Sequence, residues 1–176
     1  MRGLLVAVLA LAALFGVSLA LRERPFGIER LWTSLFGPPD LGPVDFTRLV
    51  RRASPNDALA CPVGLCGDAR VDIVTPVYDL PHHILAARVR ALVEAEPAAR
   101  RVDEAGGGRG DRFVVRTPLM RYPDTVDVLV LPAEGGRSTV AIYSRSQIGR
   151  SDLGANLSRI RRWLDNPALK GAEIKG

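Results

Sequence analysis

The chain has 176 residues, room for one domain of ordinary size and an appendage. Its formal net charge of +5 is unevenly spread, because Ser144 to Leu164 alone holds five arginines against one aspartate. Two histidines and two cysteines follow no zinc-ligand spacing, which excludes a patterned metal site.

Gly3 to Leu21 runs nineteen positions without a charge. A helix rising about 1.5 Å per residue would there match the hydrocarbon thickness of a bilayer. Two readings fit. An uncleaved single-span anchor over residues 1–24 is favoured by length, since the run exceeds the ~7–15 apolar residues of a usual signal peptide. Cleavage near Ser18-Leu19-Ala20 is the alternative. Arg2 precedes the run while Arg22, Arg24 and Arg30 follow it, so counting cations does not orient it. Its place at the extreme amino terminus resembles an uncleaved signal. The expectation is a transmembrane helix in a bacterial inner membrane with the carboxy-terminal part on the periplasmic side.

Residues 25–43 read as a juxtamembrane segment and linker. Ile28, Leu31, Trp32, Leu35 and Phe36 share one helix face. That face suits either the membrane interface or packing on the domain. Gly37-Pro38-Pro39-Asp40-Leu41-Gly42-Pro43 then breaks any regular element.

A single α+β domain is expected over residues 44–165. Ser54-Pro55-Asn56-Asp57 is a further break, and Cys61 to Cys66 is a short loop. Val71, Ile73 and Thr75 read as a strand stopped by Pro76. Asp79-Leu80-Pro81 starts a helix, with Asp79 as cap and Leu85, Val89 and Leu92 as its stripe. Arg100–Glu104 and Arg112–Met120 flank the glycine-rich run Gly106–Gly110, and Val126–Leu131 pairs with Ser138–Ser144 around Glu134-Gly135-Gly136. A last helix from about Asp152 carries Leu153, Leu157, Ile160 and Leu164. This β-α-β4-α order suits an antiparallel sheet with two helices packed on one face, and is similar to helix-grip and TATA-binding-protein-like architectures. Residues 166–176 read as a flexible tail.

Four stretches carry a family resemblance: Gly37 to Phe46 (GPPDLGPVDF), Pro55 to Pro62 (PNDALACP), Met120 to Asp124 (MRYPD) and Ser144 to Ile160 (SRSQIGRSDLGANLSRI). Together they resemble the bacterial and plastid family catalogued as domain of unknown function 1499. The family more often has Phe where Tyr122 stands. The resemblance implies an exported or membrane-anchored protein and brings no reaction or cofactor with it.

The closing motif is the first candidate site. Ser144, Arg145, Ser146, Arg150, Ser151, Asp152, Asn156 and Arg159, with Asp124, supply hydroxyls, guanidinium groups and a helix start, which together suit a phosphate, sulfate or carboxylate. An architectural reading competes: Asp152 caps the helix and pairs with Arg145 or Arg150, while Asn156 and Arg159 brace the adjoining loop. Arg159, Arg161, Arg162 and Trp163 suit anionic lipid headgroups, or simply the helix dipole.

Cys61 and Cys66 suit a structural disulfide in an oxidising compartment, with free thiols in a constrained loop as the alternative. His82 and His83 point about 100° apart on a helix and cannot chelate one metal from one face. Asp124 and Asp127, near Arg121, are the nearest approach to a carboxylate pair. No Ser-His-Asp set, nucleophile elbow, phosphate loop or dinucleotide fingerprint occurs, and no cofactor is expected.

The leading expectation is therefore a membrane-anchored binding or accessory module for a small anion, a lipid headgroup or an envelope protein. Nucleic acid is not expected, since no binding motif for it occurs. One alternative is an enzyme bringing Asp124, Arg145 and Asp152 into a single cleft with perturbed titration. Another is a scaffold of an envelope complex with an exposed apolar patch.

Overall fold

The protein is described by a computed structural model over residues 2–21, 27–102 and 110–174. The elements are α1 (Arg2–Leu21), α2 (Ile28–Phe36), β1 (Asp57–Cys61), β2 (Ile73–Val74), α3 (His82–Glu94), β3 (Arg100–Arg101), β4 (Asp111–Arg116), β5 (Pro123–Pro132), β6 (Ser138–Ser146), α4 (Ala155–Leu164) and α5 (Pro167–Lys170). From β2 onward they follow in the expected order.

The transmembrane expectation is not supported. Among the described residues no helix is long and apolar enough to cross a membrane.

All six strands join one sheet in the order β2-β1-β6-β5-β4-β3. The sheet is mixed, where an antiparallel one was expected, because β1 and β2 run parallel. The remaining pairs are antiparallel. Strand β1 lies in a stretch whose sequence reads as breaks and loop. Its Ala58, Leu59, Ala60 and Cys61 are all buried, so both faces are covered and no polar alternation marks the strand.

One face of the sheet carries the helices. Leu85, Val89 and Val93 of α3 and Ile160, Trp163 and Leu164 of α4 pack with Ala58, Ala60, Phe113, Val126 and Ile142. The other face is covered by the chain between α2 and β1, whose Phe46 packs with Leu59, Cys61, Cys66, Ala141 and Tyr143. The expected linker is thus a strap lying on the sheet. Leu41 N–H donates to Thr125 Oγ1 at 3.0 Å, Arg145 donates to the Gly42 carbonyl, and Arg112 pairs with Asp40 at 2.9 Å.

Helix α2 packs on the domain. Trp32 Nε1–H donates to the Met120 carbonyl at 2.7 Å, and its ring lies 4.9 Å from that of Tyr122. Glu29 pairs with Arg116 and Arg121. Leu31, Leu35 and Phe36 face outward.

Three local expectations need correction. Pro81 occupies the cap position of α3 with no side-chain bond, while Asp79 uses its backbone N–H to reach the Ala172 carbonyl at 2.8 Å. Helix α4 begins at Ala155, after Leu153 and Gly154 at φ 53° and 79°. Leu153 is consequently outside the helix and 96% exposed, and Asn156 and Arg159 take places on the buried face. The tail is not loose through residue 174, because Asn166 caps α5 and Leu169 is wholly buried against the helix-face core.

Most of the glycine-rich run, Gly106 to Arg109, lies outside the described residues. Gly110 has φ +101°, and a Cβ there would sit 2.1 Å from the Val128 carbonyl oxygen, so only glycine fits.

Candidate functional site

In a strand successive side chains point to opposite faces. That rule divides the closing motif. Ser144 and Ser146 of β6 point to the helix face, with Asp124 of β5, while Arg145 points to the strap face with Asp127. Arg159 reaches the first group from α4 and closes a buried network there. Its Nη2 donates to Asp124 Oδ2 at 2.7 Å, and its Nη1 donates to Asn156 Oδ1 at 2.8 Å and Ser144 Oγ at 3.0 Å. Asn156 Nδ2 donates to Asp152 Oδ2, Ser146 Oγ and the Asn56 carbonyl at 2.7, 3.0 and 3.2 Å. The Asp124 and Arg159 side chains are only 2% and 7% exposed.

Asp152 caps α4. Its carboxylate accepts from the N–H groups of Gly154 and Asn156 at 3.0 and 2.9 Å. It fills the helix start that an anion would otherwise occupy, as the architectural reading required. Arg150 and Ser151 lie exposed on the loop before it, and no ion pair between Asp152 and Arg145 or Arg150 is seen among the described residues.

The strap face holds a second polar cluster. Arg145 pairs with Asp127 at 3.2 Å as well as with the strap carbonyl. Burial, opposed by Arg145 and Arg112, pushes the Asp127 carboxyl up to about 6, with Asp40 adding to the rise. Further along, Tyr143 Oη donates to Asp57 Oδ2, and Arg51 holds both Asp57 and Asp72. Burial and the Asp57 carboxylate raise the Tyr143 phenol, while the bonds from Arg51 and Tyr143 leave Asp57 below its ordinary value despite burial. A cavity of about 270 Å³ opens beside Asp127, Arg112 and Gly110.

The enzyme alternative loses its geometry. Asp124 and Arg145 face opposite sides of the sheet, and Asp152 is occupied as a helix cap. Asp124 and Asp127 do not form a pair either, and Arg121 bonds Glu29 instead. Cys61 and Cys66 are joined in a disulfide with their Cα atoms 6.4 Å apart. The ring centroids of His82 and His83 are 5.7 Å apart in an edge contact, and no metal-holding group of His, Cys, Asp or Glu occurs among the described residues.

A cleft of about 250 Å³ borders the helix-face network. Arg116, Thr117, Ser158, Arg159 and Arg162 line it, with Glu96 the one acid. Arg162, which bonds Glu96 at 2.5 Å, is 59% exposed at its mouth. Burial, with Arg121 and Arg100 nearby, lowers the Arg116 guanidinium against the pull of Glu29.

A family model described as a protein of unknown function, DUF1499, matches residues 53–166. The chain belongs to that family. The matched span contains all six strands and helices α3 and α4, so the buried network belongs to the family domain while the strap before residue 53 lies outside the match. No curated protein and no solved structure matches the chain.

Several site residues carry no clear signal in the sequence. Asn56 sits inside a family motif yet reads there as part of a chain break. In the fold its carbonyl also accepts from Ser146 N–H at 2.9 Å, and its Nδ2 donates to the Gly149 carbonyl at 2.7 Å. Arg116 and Thr117 of the cleft have no telling spacing, since a strand end and a helix meet there from distant parts of the chain.

Proposed function

We propose that this DUF1499 domain is a non-catalytic binding module that accepts an anionic group, a phosphate, sulfate or carboxylate, in the cleft beside α4. The supporting observation is the lining: three arginines, a threonine and a serine border one space with Glu96 the one acid among them, and the Arg162 side chain there is 59% exposed. Guanidinium pairs bind oxyanions with directed, charge-assisted bonds. Arg159 is fixed from behind by Asp124, Ser144 and Asn156, so the cleft floor is preorganised and a ligand has little left to order. The disulfide favours an oxidising, extracytoplasmic setting.

A thermal-shift screen of phosphates, sugar acids and lipid headgroups tests this reading. A ligand at about 100 times its dissociation constant adds roughly 2.7 kcal/mol to stability. The expected result is a raised midpoint that Arg162→Glu reduces. A ligand-induced shift of unchanged size in Arg162→Glu would place all of the binding elsewhere and refute the reading.

A further inference from the structure

A second basic cleft lies on the strap side, remote in sequence from the closing motif. Its volume is about 450 Å³. One wall is the strap from Thr47 to Arg51, and the other is the run Cys66 to Arg70. Each wall is held by its own device. Asp45 caps the turn at Phe46–Arg48 by accepting from Thr47 N–H at 3.0 Å, and Phe46 is buried beneath it. The facing wall begins at Cys66, which the disulfide ties covalently to the end of β1. Arg51 bridges the two, donating to Asp72 Oδ2 at 2.7 Å and to the Arg70 carbonyl at 2.8 Å.

The cations on these walls differ in how far they are already neutralised. Arg51 is held between Asp57 and Asp72. Arg48 is exposed on the strap wall, and Arg70 on the other wall is 78% exposed, with Asp72 Oδ1 no nearer than 3.5 Å. Asp68 is the one acid in the lining. Two exposed arginines thus stand on the two walls, with Leu49, Val50 and Cys66 as apolar parts of the lining. That arrangement suits an oxyanion met by two guanidinium forks, with an apolar part against Leu49 and Val50.

We infer that the cleft lined by Arg48 and Arg70, one wall of which starts at the disulfide-bonded Cys66, is an anion-binding site for a phosphate ester, either free or as a lipid headgroup. It does not depend on the cleft beside α4.

The test uses the full chain with its disulfide intact. Binding of inorganic phosphate, glycerol 3-phosphate, and phosphatidylcholine vesicles with or without phosphatidylglycerol is measured by calorimetry and by amide shifts of Gly67 to Arg70. Arg48→Glu is compared with Arg161→Glu, which makes the same charge change on an exposed face of α4. The inference expects at least a tenfold loss of affinity in Arg48→Glu, little change in Arg161→Glu, and perturbed amides at Gly67 to Arg70. Binding of glycerol 3-phosphate identifies a free ester; binding only to phosphatidylglycerol vesicles identifies a headgroup. Equal losses in the two variants, or no binding of any probe by the wild type, would overturn it. Circular dichroism of Arg48→Glu checks that the exposed substitution leaves the fold unchanged.

Discussion

On the helix face of the sheet, polar groups gather at one end and bond to one another through side chains. On the strap face they run across the sheet, and several bond to backbone carbonyls of the covering strap. Asp124 illustrates the first arrangement, held directly by Arg159 at 2.7 Å. Asp127, three residues on in the same strand, illustrates the second, with Arg145 at 3.2 Å while that arginine also serves the Gly42 carbonyl. The difference shows that burial alone does not decide how a carboxylate behaves. A short bond from Arg159, itself locked by Ser144 and Asn156, makes Asp124 part of the scaffold, whereas Asp127 has the longer contact from Arg145 to oppose the burial that raises its carboxyl.

Removing Arg159 should have the largest effect. Arg159→Ala leaves Asp124 buried and unpaired, and the loss of one partner from such a pair costs about 3–5 kcal/mol. Urea denaturation should show that fall. A loss under about 1 kcal/mol would mean that the network contributes little and that the two faces are alike.

Asp127 should behave in the opposite sense. Its folded pKa of about 6 lies above the ordinary carboxyl value of 3.8. Its contribution to stability is therefore fully present below the unfolded value and is lost as pH rises through about 6. Acidification from about pH 7 to about pH 4 should stabilise the protein through this group by on the order of 2 kcal/mol. Asp57, whose folded pKa is depressed, works against this only at lower pH, where its protonation begins. Asp127→Asn should remove most of the gain over that window while leaving the protein at least as stable near neutral pH. Midpoints measured across the pH range decide it, and an unchanged slope in the variant would show that another group titrates.

How much of this was legible follows the same physics. The β5–β6 hairpin could be read because Val126, Val128 and Val130 alternate with residues of the other face. The cap at Asp152 could be read because capping is local in sequence. Strand β1 could not, since both of its faces are covered and Ala58-Leu59-Ala60 has no period. Asn156 and Arg159 stand out in the sequence as residues of interest. Their burial was hidden because a helix starting near Asp152 puts Leu153 on the inner face instead. The strap was the hardest part: a Pro/Gly run looks like a linker, and partners distant in sequence, Thr125, Arg112 and Arg145 among them, make it part of the domain. The expected membrane span rested on an uncharged run alone, and no described helix meets the length and apolarity it needs.

The central claim is that the closing motif builds the scaffold and that binding takes place in the cleft beside it. Its most direct test is a calorimetric titration with inorganic phosphate, run together with thermal denaturation on Arg145→Ala and Arg162→Ala. Arg145 is tied into the strap face, whereas Arg162 is 59% exposed in its pair with Glu96, which also accepts from Trp163, and a solvent-facing pair is worth about 0–1 kcal/mol. The account predicts that Arg145→Ala lowers the midpoint but keeps phosphate affinity at the cleft beside α4, and that Arg162→Ala keeps the midpoint but loses affinity at that cleft. The reverse pattern, with affinity lost in Arg145→Ala and retained in Arg162→Ala, would contradict it.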